Sequence, residues 1–254
     1  MRRTIHDVTL ADVYRHDFSR RTDDFVTWAS LAGAAPPGPI LDVACGDGRA
    51  TRRLAAEGRE VFGVDVDARF AVMARQAGLR AIEGPAERVY THRIALEGAR
   101  PTLAICAYSS LFLFRHEQQA DVIDAMAEVC RPGALIAVEA FVPTLLESRE
   151  VDQPAANPND PSGPAWVRRT SYRVSLFERR TVIERLYGPA VNDWTMRLTE
   201  TVYWRDPDEV ELLFRRAGLS DVTSNDRLVT VRGHEGATRV VPVASGMRLT
   251  VGRR

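Results

Sequence analysis

Ile40-Leu-Asp-Val-Ala-Cys-Gly-Asp-Gly-Arg49 is the stretch that decides the fold. An apolar run carrying one acid leads into a turn with two glycines, and a helical pattern starts just beyond. A strand that ends in a glycine turn and opens a helix gathers backbone N–H groups at one point, where a polar or anionic ligand can meet them. The spacing predicts a nucleotide-type site at the carboxyl end of a parallel strand.

Outward from this stretch, strand and helix patterns alternate. Residues 39–43 read as a strand and 49–56 as a helix closed by Gly58. Residues 61–65 read as a second strand. Asp67 is a good N-cap for a helix with Phe70, Met73, Ala74 and Ala77 on one face, stopped by Gly78. Strands follow at 79–83 and 102–107, with an ambiguous stretch between them. A helix at 117–130 carries Val122, Ile123, Met126 and Val129 on one face, and Pro132-Gly133 turns into a strand at 134–142. Upstream, Phe25, Trp28, Ala29 and Ala32 recur at helical spacing behind Asp23 and Asp24, which suit the positive end of a helix dipole. Residues 1–20 read as an arm with a helical piece around Ala11-Asp-Val-Tyr14. Repeated βα units predict an α/β fold: a doubly wound, mostly parallel, Rossmann-like sheet with helices on both faces.

The rhythm changes after Pro143. Residues 152–164 are crowded with Pro, Asn and Asp and read as a long loop. Three β-rich segments follow at 168–178, 181–187 and 194–204, with alternation clearest in the last (Trp194, Met196, Leu198, Val202, Trp204). They predict an antiparallel cap inserted over the sheet's carboxyl edge. Asp206-Pro207 opens a helix to Arg216, and 219–254 reads as closing strands with an irregular excursion at 233–246. The expected division is 1–142 for the arm and cofactor-binding core, 143–205 for the loop and cap, and 206–254 for the last helix and strands.

Composition narrows the function classes. Lys+Arg and Asp+Glu both number 34 in 254 residues, and the basic residues are dispersed. A nucleic-acid groove needs a basic face, so that partner is disfavoured. Every basic residue is arginine, so no lysine is available as a Schiff-base nucleophile or general base. Cys45, Cys106 and Cys130 show no metal spacing and read as core residues of a reduced, cytoplasmic protein. The start of the chain lacks a signal-peptide pattern, and no apolar run reaches membrane-spanning length. The expected partner is a small molecule, with neither nucleic acid nor membrane; a homodimer is compatible with this.

Each expected strand end carries a usable group. The first offers Asp42 and the Gly46/Gly48 turn, the second Asp65 about twenty residues beyond the first glycine, where a carboxylate can accept from two ribose hydroxyls. The fourth ends in Cys106-Ala-Tyr108-Ser109-Ser110, and the fifth in Glu139-Ala-Phe141. A nicotinamide dehydrogenase is the rival nucleotide fold, but Thr51 stands where its third glycine belongs and Asp42 interrupts the apolar strand.

These residues resemble the class I S-adenosylmethionine (SAM)-dependent methyltransferases, with Ala44 replacing the usual first glycine of their first motif. Bacterial small-molecule N-methyltransferases of the aminosugar type are the most similar group. The likeness rests on Ala11-Asp-Val-Tyr14, Asp42–Gly48, Ser109-Ser110, Val138-Glu139 and the three-stranded cap. It implies SAM as cofactor, held by Asp42, Ala44, Gly46, Gly48, Asp65, Val66, Pro85, Ala86, Cys106 and Ala107, with Arg21 near the SAM carboxylate. Gly84-Pro85-Ala86 departs from the acidic residue such enzymes often place near adenine, leaving the Ala86 N–H or Glu87 for that task. Phe18 and Phe25 stand where tyrosines are usual, which favours a more apolar acceptor.

Methyl transfer from a sulfonium is an in-line displacement, so alignment supplies much of the catalysis. Glu139, Tyr14 and His116 are the catalytic candidates, with His16 a further histidine in the arm. Tyr108, Ser109, Phe112, Phe141 and Trp166 are candidates to touch the acceptor, although the aromatic residues, Trp194 and Trp204 among them, equally suit packing of the cap. Ser109-Ser110 takes the place of the Asp/Asn cluster that a metal-dependent mechanism needs, so no metal is expected. The expected function is methylation of a small molecule in secondary-metabolite or antibiotic biosynthesis, with amine nitrogen ahead of hydroxyl or phenol oxygen. The alternatives are a SAM-binding cyclase or rearrangement enzyme of the same fold, and a C-methyltransferase.

Overall fold

The computed structural model describes residues 5–17, 22–92, 98–143, 147–157 and 163–254. In chain order its elements are β1 (His6–Asp7), α1 (Leu10–Asp17), α2 (Phe25–Ala34), β2 (Ile40–Val43), α3 (Arg52–Ala56), β3 (Val61–Asp65), α4 (Ala68–Gln76), β4 (Arg80–Glu83), β5 (Leu103–Cys106), α5 (His116–Val129) and β6 (Leu135–Phe141). They continue as β7 (Arg149–Ala155), β8 (Trp166–Ser175), β9 (Arg180–Gly188), β10 (Met196–Tyr203), α6 (Pro207–Arg216), β11 (Ser220–Asn225), β12 (Leu228–Arg232), β13 (Thr238–Pro242) and β14 (Met247–Arg253). Tight 3-10 turns occupy Ala86–His92 and Ser110–Leu113. The chain divides into two compact units: Thr22–Val142 with Arg205–Arg254, and Met1–Arg21 with Pro143–Trp204.

The larger unit is built on a seven-stranded sheet in the order β11-β14-β6-β5-β2-β3-β4. Strands β4, β3, β2, β5 and β6 run parallel, and β14 lies antiparallel between β6 and β11. This is the doubly wound, mostly parallel sheet that the βα alternation predicts. Chain order reverses between β2 and β5, so a crevice opens at the carboxyl ends of those two strands. The central strands are buried throughout β2, β5 and nearly all of β6, as expected where helices cover both faces. Trp28, Leu31 and Ala32 of α2 pack with Ile40, Leu103, Ile105, Leu135, Leu249 and Val251 in one core.

Two expectations about this unit are corrected. The helix expected at 49–56 spans only Arg52–Ala56. Gly48 adopts a left-handed φ of 79°, and the Asp47 side chain accepts from the Arg49 N–H at 3.0 Å, so a turn forms before any helix. The excursion expected at 233–246 contains β13, which pairs with β12 as a hairpin. Val229, Val231 and Val241 are buried in the main core, and the Thr27 hydroxyl donates to the Pro242 carbonyl at 2.6 Å. Branched apolar residues that gain a buried face fold as strand despite glycine-rich flanks.

The smaller unit is a five-stranded sheet in the order β1-β10-β9-β8-β7. Strands β7 to β10 form an antiparallel meander, and the short β1 adds to β10 in parallel. Val13 of α1 packs with Tyr187 and Leu198, and Leu10, Trp166 and Met196 surround them. The sequence underestimates this sheet. Residues 149–155, partly placed in the long loop, form β7 despite Pro154. An edge strand tolerates proline because only one side of its backbone enters the ladder.

Candidate active site

The carboxyl end of β2 carries three left-handed residues in five: Ala44 (φ 53°), Gly46 (φ 55°) and Gly48 (φ 79°). Glycine is favoured at 48, because a Cβ there would meet Leu79 Cδ1 at 3.0 Å as well as straining the backbone. The Cys45 N–H donates to the Val64 carbonyl at 3.1 Å and the Gly48 N–H to the Cys45 carbonyl at 2.9 Å, which seats the turn against β3.

Asp65 closes the same corner from the end of β3. Its Oδ2 accepts from the Gly46 N–H at 2.8 Å and its Oδ1 from the Asp67 N–H at 3.0 Å. Burial raises its pKa above the ordinary carboxyl value, and these backbone donors pull in the opposite direction. The Gly84 N–H donates to the Asp65 carbonyl at 2.9 Å, bringing Pro85 and Ala86 to this corner. Ala86 is buried at the start of its 3-10 turn, whereas Val66 is exposed beside Asp65.

Asp42 is only 1% exposed and accepts from the Thr51 hydroxyl at 2.6 Å. Burial pushes its pKa up to about 7, against the pull of the Thr51 hydrogen bond and the Arg49 charge. Its carboxyl group therefore ties the end of β2 to the start of α3 across the turn. Cys45 and Cys106 are buried nearby, and burial holds both thiols well above their ordinary pKa, so neither is a nucleophile here.

The corner after β5 is equally constrained. Tyr108 (φ 53°) and Ser109 (φ 62°) are consecutive left-handed non-glycine residues. Such backbone persists only where the surroundings enforce it. Glu139, fully buried in β6, supplies that enforcement twice: its Oε2 accepts from the Tyr108 N–H at 3.1 Å, and its carbonyl accepts from the Ser109 N–H at 2.8 Å. The Ser109 hydroxyl accepts from the Phe141 N–H at 2.9 Å. Phe112 and Phe141 meet edge to face with ring centroids 5.2 Å apart, forming an apolar wall beside Tyr108 and Ser109.

One element of this site is absent from the sequence expectations. Asp24, at the start of α2, pairs with Arg49 at 2.7 Å, and both side chains are at least 97% buried. The Trp28 Nε1 donates to the other Asp24 oxygen at 3.3 Å, and the Arg49 guanidinium lies 5.1 Å from the centre of the Tyr108 ring. Asp24 has the sequence signature of a helix-start acid, and nothing in local spacing shows that its partner is Arg49.

The structure thus gathers Asp42, Ala44, Gly46, Gly48, Asp65, Val66, Pro85, Ala86, Cys106, Ala107, Tyr108, Ser109, Phe112, Glu139 and Phe141 around the switch point between β2 and β5 and its flanking loops. His116 is the first residue of α5, and its carbonyl accepts from Arg205 at 2.8 Å. Tyr14 and Trp166 belong to the smaller unit, where Trp166 packs beside the Val13–Tyr187–Leu198 cluster. Phe25 is half-buried under the Arg53 guanidinium, 4.0 Å from its ring centre. Arg21, Phe18 and the side chain of His16 lie outside the described residues. Among the described residues, no cluster of three or more His, Cys, Asp or Glu side chains could hold a metal, and no helix is long and apolar enough to cross a membrane.

Residues 40–133 match the methyltransferase domain family. That stretch, which runs from β2 through Asp65 and Tyr108 past the end of α5, is similar to a methyltransferase domain, and the chain is an enzyme.

Several solved methyltransferases share the fold. The CcbJ methyltransferase of Streptomyces caelestis is 18% identical, with 96% of each chain covered and a TM-score of 0.71. CalS10 of Micromonospora echinaspora, an amino pentose methyltransferase involved in calicheamicin biosynthesis and solved with SAM bound, is 18% identical over 94% of this chain and 91% of its own, at a TM-score of 0.65. The sugar N-methyltransferase KedS8 of a Streptoalloteichus species is 16% identical over 94% and 88%, at 0.64. No curated protein matches the chain by sequence.

Proposed function

We propose that this enzyme methylates an amine nitrogen of a small-molecule acceptor in natural-product biosynthesis. The donor site fits SAM. Asp65 uses one lone pair on each oxygen for Gly46 and Asp67, and its remaining lone pairs can accept from two ribose hydroxyls. The left-handed turn at Ala44–Gly48 gives backbone access to the methionyl part, with Cys106 and Ala107 on the opposite side and Pro85 and Ala86 beside adenine. When bound, SAM supplies a methyl group made electrophilic by its sulfonium.

The observation that favours nitrogen is the placement of Glu139. It is fully buried and holds the Tyr108 N–H, which makes it a positioning group for the turn and not a base reaching into solvent. A neutral amine presents its own lone pair and needs no base before attack, whereas a phenol or hydroxyl benefits from one. Phe112, Phe141 and Tyr108 then orient the acceptor and exclude water. The sugar and amino pentose substrates named for KedS8 and CalS10 support an amine acceptor of comparable size.

Incubation of the purified protein with methyl-labelled SAM and a panel of amines, phenols and activated carbon acids tests this reading. The expected product is a labelled amine, formed one to one with S-adenosylhomocysteine. Label on oxygen or carbon alone contradicts the nitrogen assignment. Bound SAM without any transfer points to a non-methylating enzyme of this fold.

A further inference from the structure

We infer that Asp24 and Arg49 are positioning residues that lock the donor turn to the Tyr108–Ser109 corner, and that SAM affinity depends on this lock. The inference rests on the SAM-site reading above. Arg49 immediately follows Gly48, so its backbone belongs to the donor turn. Its guanidinium pairs with Asp24 of α2 at 2.7 Å and lies over the Tyr108 ring at 5.1 Å. Asp24 is fixed in turn by the Trp28 indole N–H at 3.3 Å, and Trp28 is fully buried in the main core. One arginine therefore joins α2, the loop after β2 and the loop after β5.

Burying both charges carries a desolvation cost that well-packed apolar residues would avoid, so stability alone does not account for the pair. What apolar residues cannot supply is direction. A guanidinium held by a fixed carboxylate presents its plane to one face of an aromatic ring, with attraction strengthened where water is excluded. Tyr108 needs such support because it and Ser109 sit in left-handed backbone. Glu139 fixes the main chain of this corner from the β6 side, and Arg49 fixes the ring from the β2 side. Arg49 itself is 97% buried at the side chain, so it acts through Tyr108 and the turn instead of touching the ligand.

A comparison of stability with affinity separates this role from simple packing. In the double variant Asp24→Asn/Arg49→Met, neither buried charge remains and the asparagine oxygen still accepts from Trp28. The melting midpoint is expected to stay near the wild-type value, while the calorimetric Kd for SAM rises at least tenfold. Tyr108→Leu alone, which leaves the buried pair intact, is expected to raise Kd similarly. Adding Asp24→Asn/Arg49→Met to Tyr108→Leu should then cost little more, because both remove the contact of the guanidinium with the ring. Wild-type affinity in the stable double variant overturns the inference, as do multiplying effects of that double variant and Tyr108→Leu. Should the double variant lose stability, an unchanged Kd in Tyr108→Leu alone overturns the inference. Failure of the wild-type protein to bind SAM is a different result and overturns the cofactor site itself.

Discussion

The carboxylates at the strand ends of the larger unit and those of the meander have different partners. In the larger unit, Asp42, Asp65 and Glu139 are directed at a hydroxyl or at backbone N–H groups of the very loops that shape the site. In the smaller unit, carboxylates meet arginines across strands: Asp152 with Arg169 on the adjacent β8, Glu200 with Arg185, and Glu184 with Arg197. Carboxylates of the first kind sit where removal leaves buried donors unsatisfied and a strained turn without support. Of the second kind, Asp152–Arg169 and Glu184–Arg197 are partly solvated, where water and neighbouring charges compensate, whereas Arg185–Glu200 is largely buried. Substitutions should therefore be costly at the switch point and mild on the meander.

The largest effect is expected at Asp42. Its pKa of about 7 lies above the ordinary unfolded carboxyl value of about 3.9. Below about pH 4 the group is protonated in both states, and its contribution to stability is fully present. Between about pH 4 and 7 the unfolded chain releases the proton first, so the folded state loses stability, by an amount on the order of a few kcal/mol. Asp65, shifted in the same direction, adds to the slope. Asp42→Asn should flatten much of this decline, as measured by urea unfolding at several pH values; an unchanged slope would place its source elsewhere.

Next in size is Glu139→Ala. It leaves the part-buried Tyr108 N–H without its carboxylate acceptor and opens a cavity in β6, at a cost of about 2–3 kcal/mol. Glu139→Gln, which keeps an acceptor oxygen, should lose about half as much, and equal losses for the two variants would deny Glu139 its role at the turn. A smaller effect of opposite sign is expected at Ala44, whose φ of 53° suits glycine. Ala44→Gly should stabilise by about 1 kcal/mol, and a lower melting midpoint would mean that the methyl group contributes packing that outweighs the strain. Smallest of all, Asp152→Asn removes an exposed pair in the smaller unit. Its melting midpoint should match wild type within measurement scatter; a clear drop would erase the contrast between the units.

The same contrast explains what the sequence disclosed. A parallel sheet announces itself through short apolar runs closed by turn residues, and the ligand-facing groups stand at strand ends with known spacing. The placement of Asp42, Gly46, Gly48 and Asp65 at the carboxyl ends of β2 and β3 is legible for that reason. Local signals mislead where tertiary packing overrides them. Pro154 masks the edge strand β7, and the glycine-rich flanks of β13 hide Val241, which is buried in the core. Asp24 shows a further limit: its helix-start position is visible, but its pairing with a residue 25 positions away is not. Glu139 was visible as an acid in an apolar strand, yet its attachment to Tyr108 emerges only once β5 and β6 are paired in register.

The account stands most directly on the corner formed by Gly46 and Asp65. Calorimetric titration with S-adenosylhomocysteine tests it without needing the acceptor. Wild-type protein should bind one equivalent, and Asp65→Ala should weaken binding by roughly tenfold to a hundredfold, the loss expected when hydrogen bonds to a charged acceptor disappear. Equal affinity in the two proteins would contradict the site assigned here.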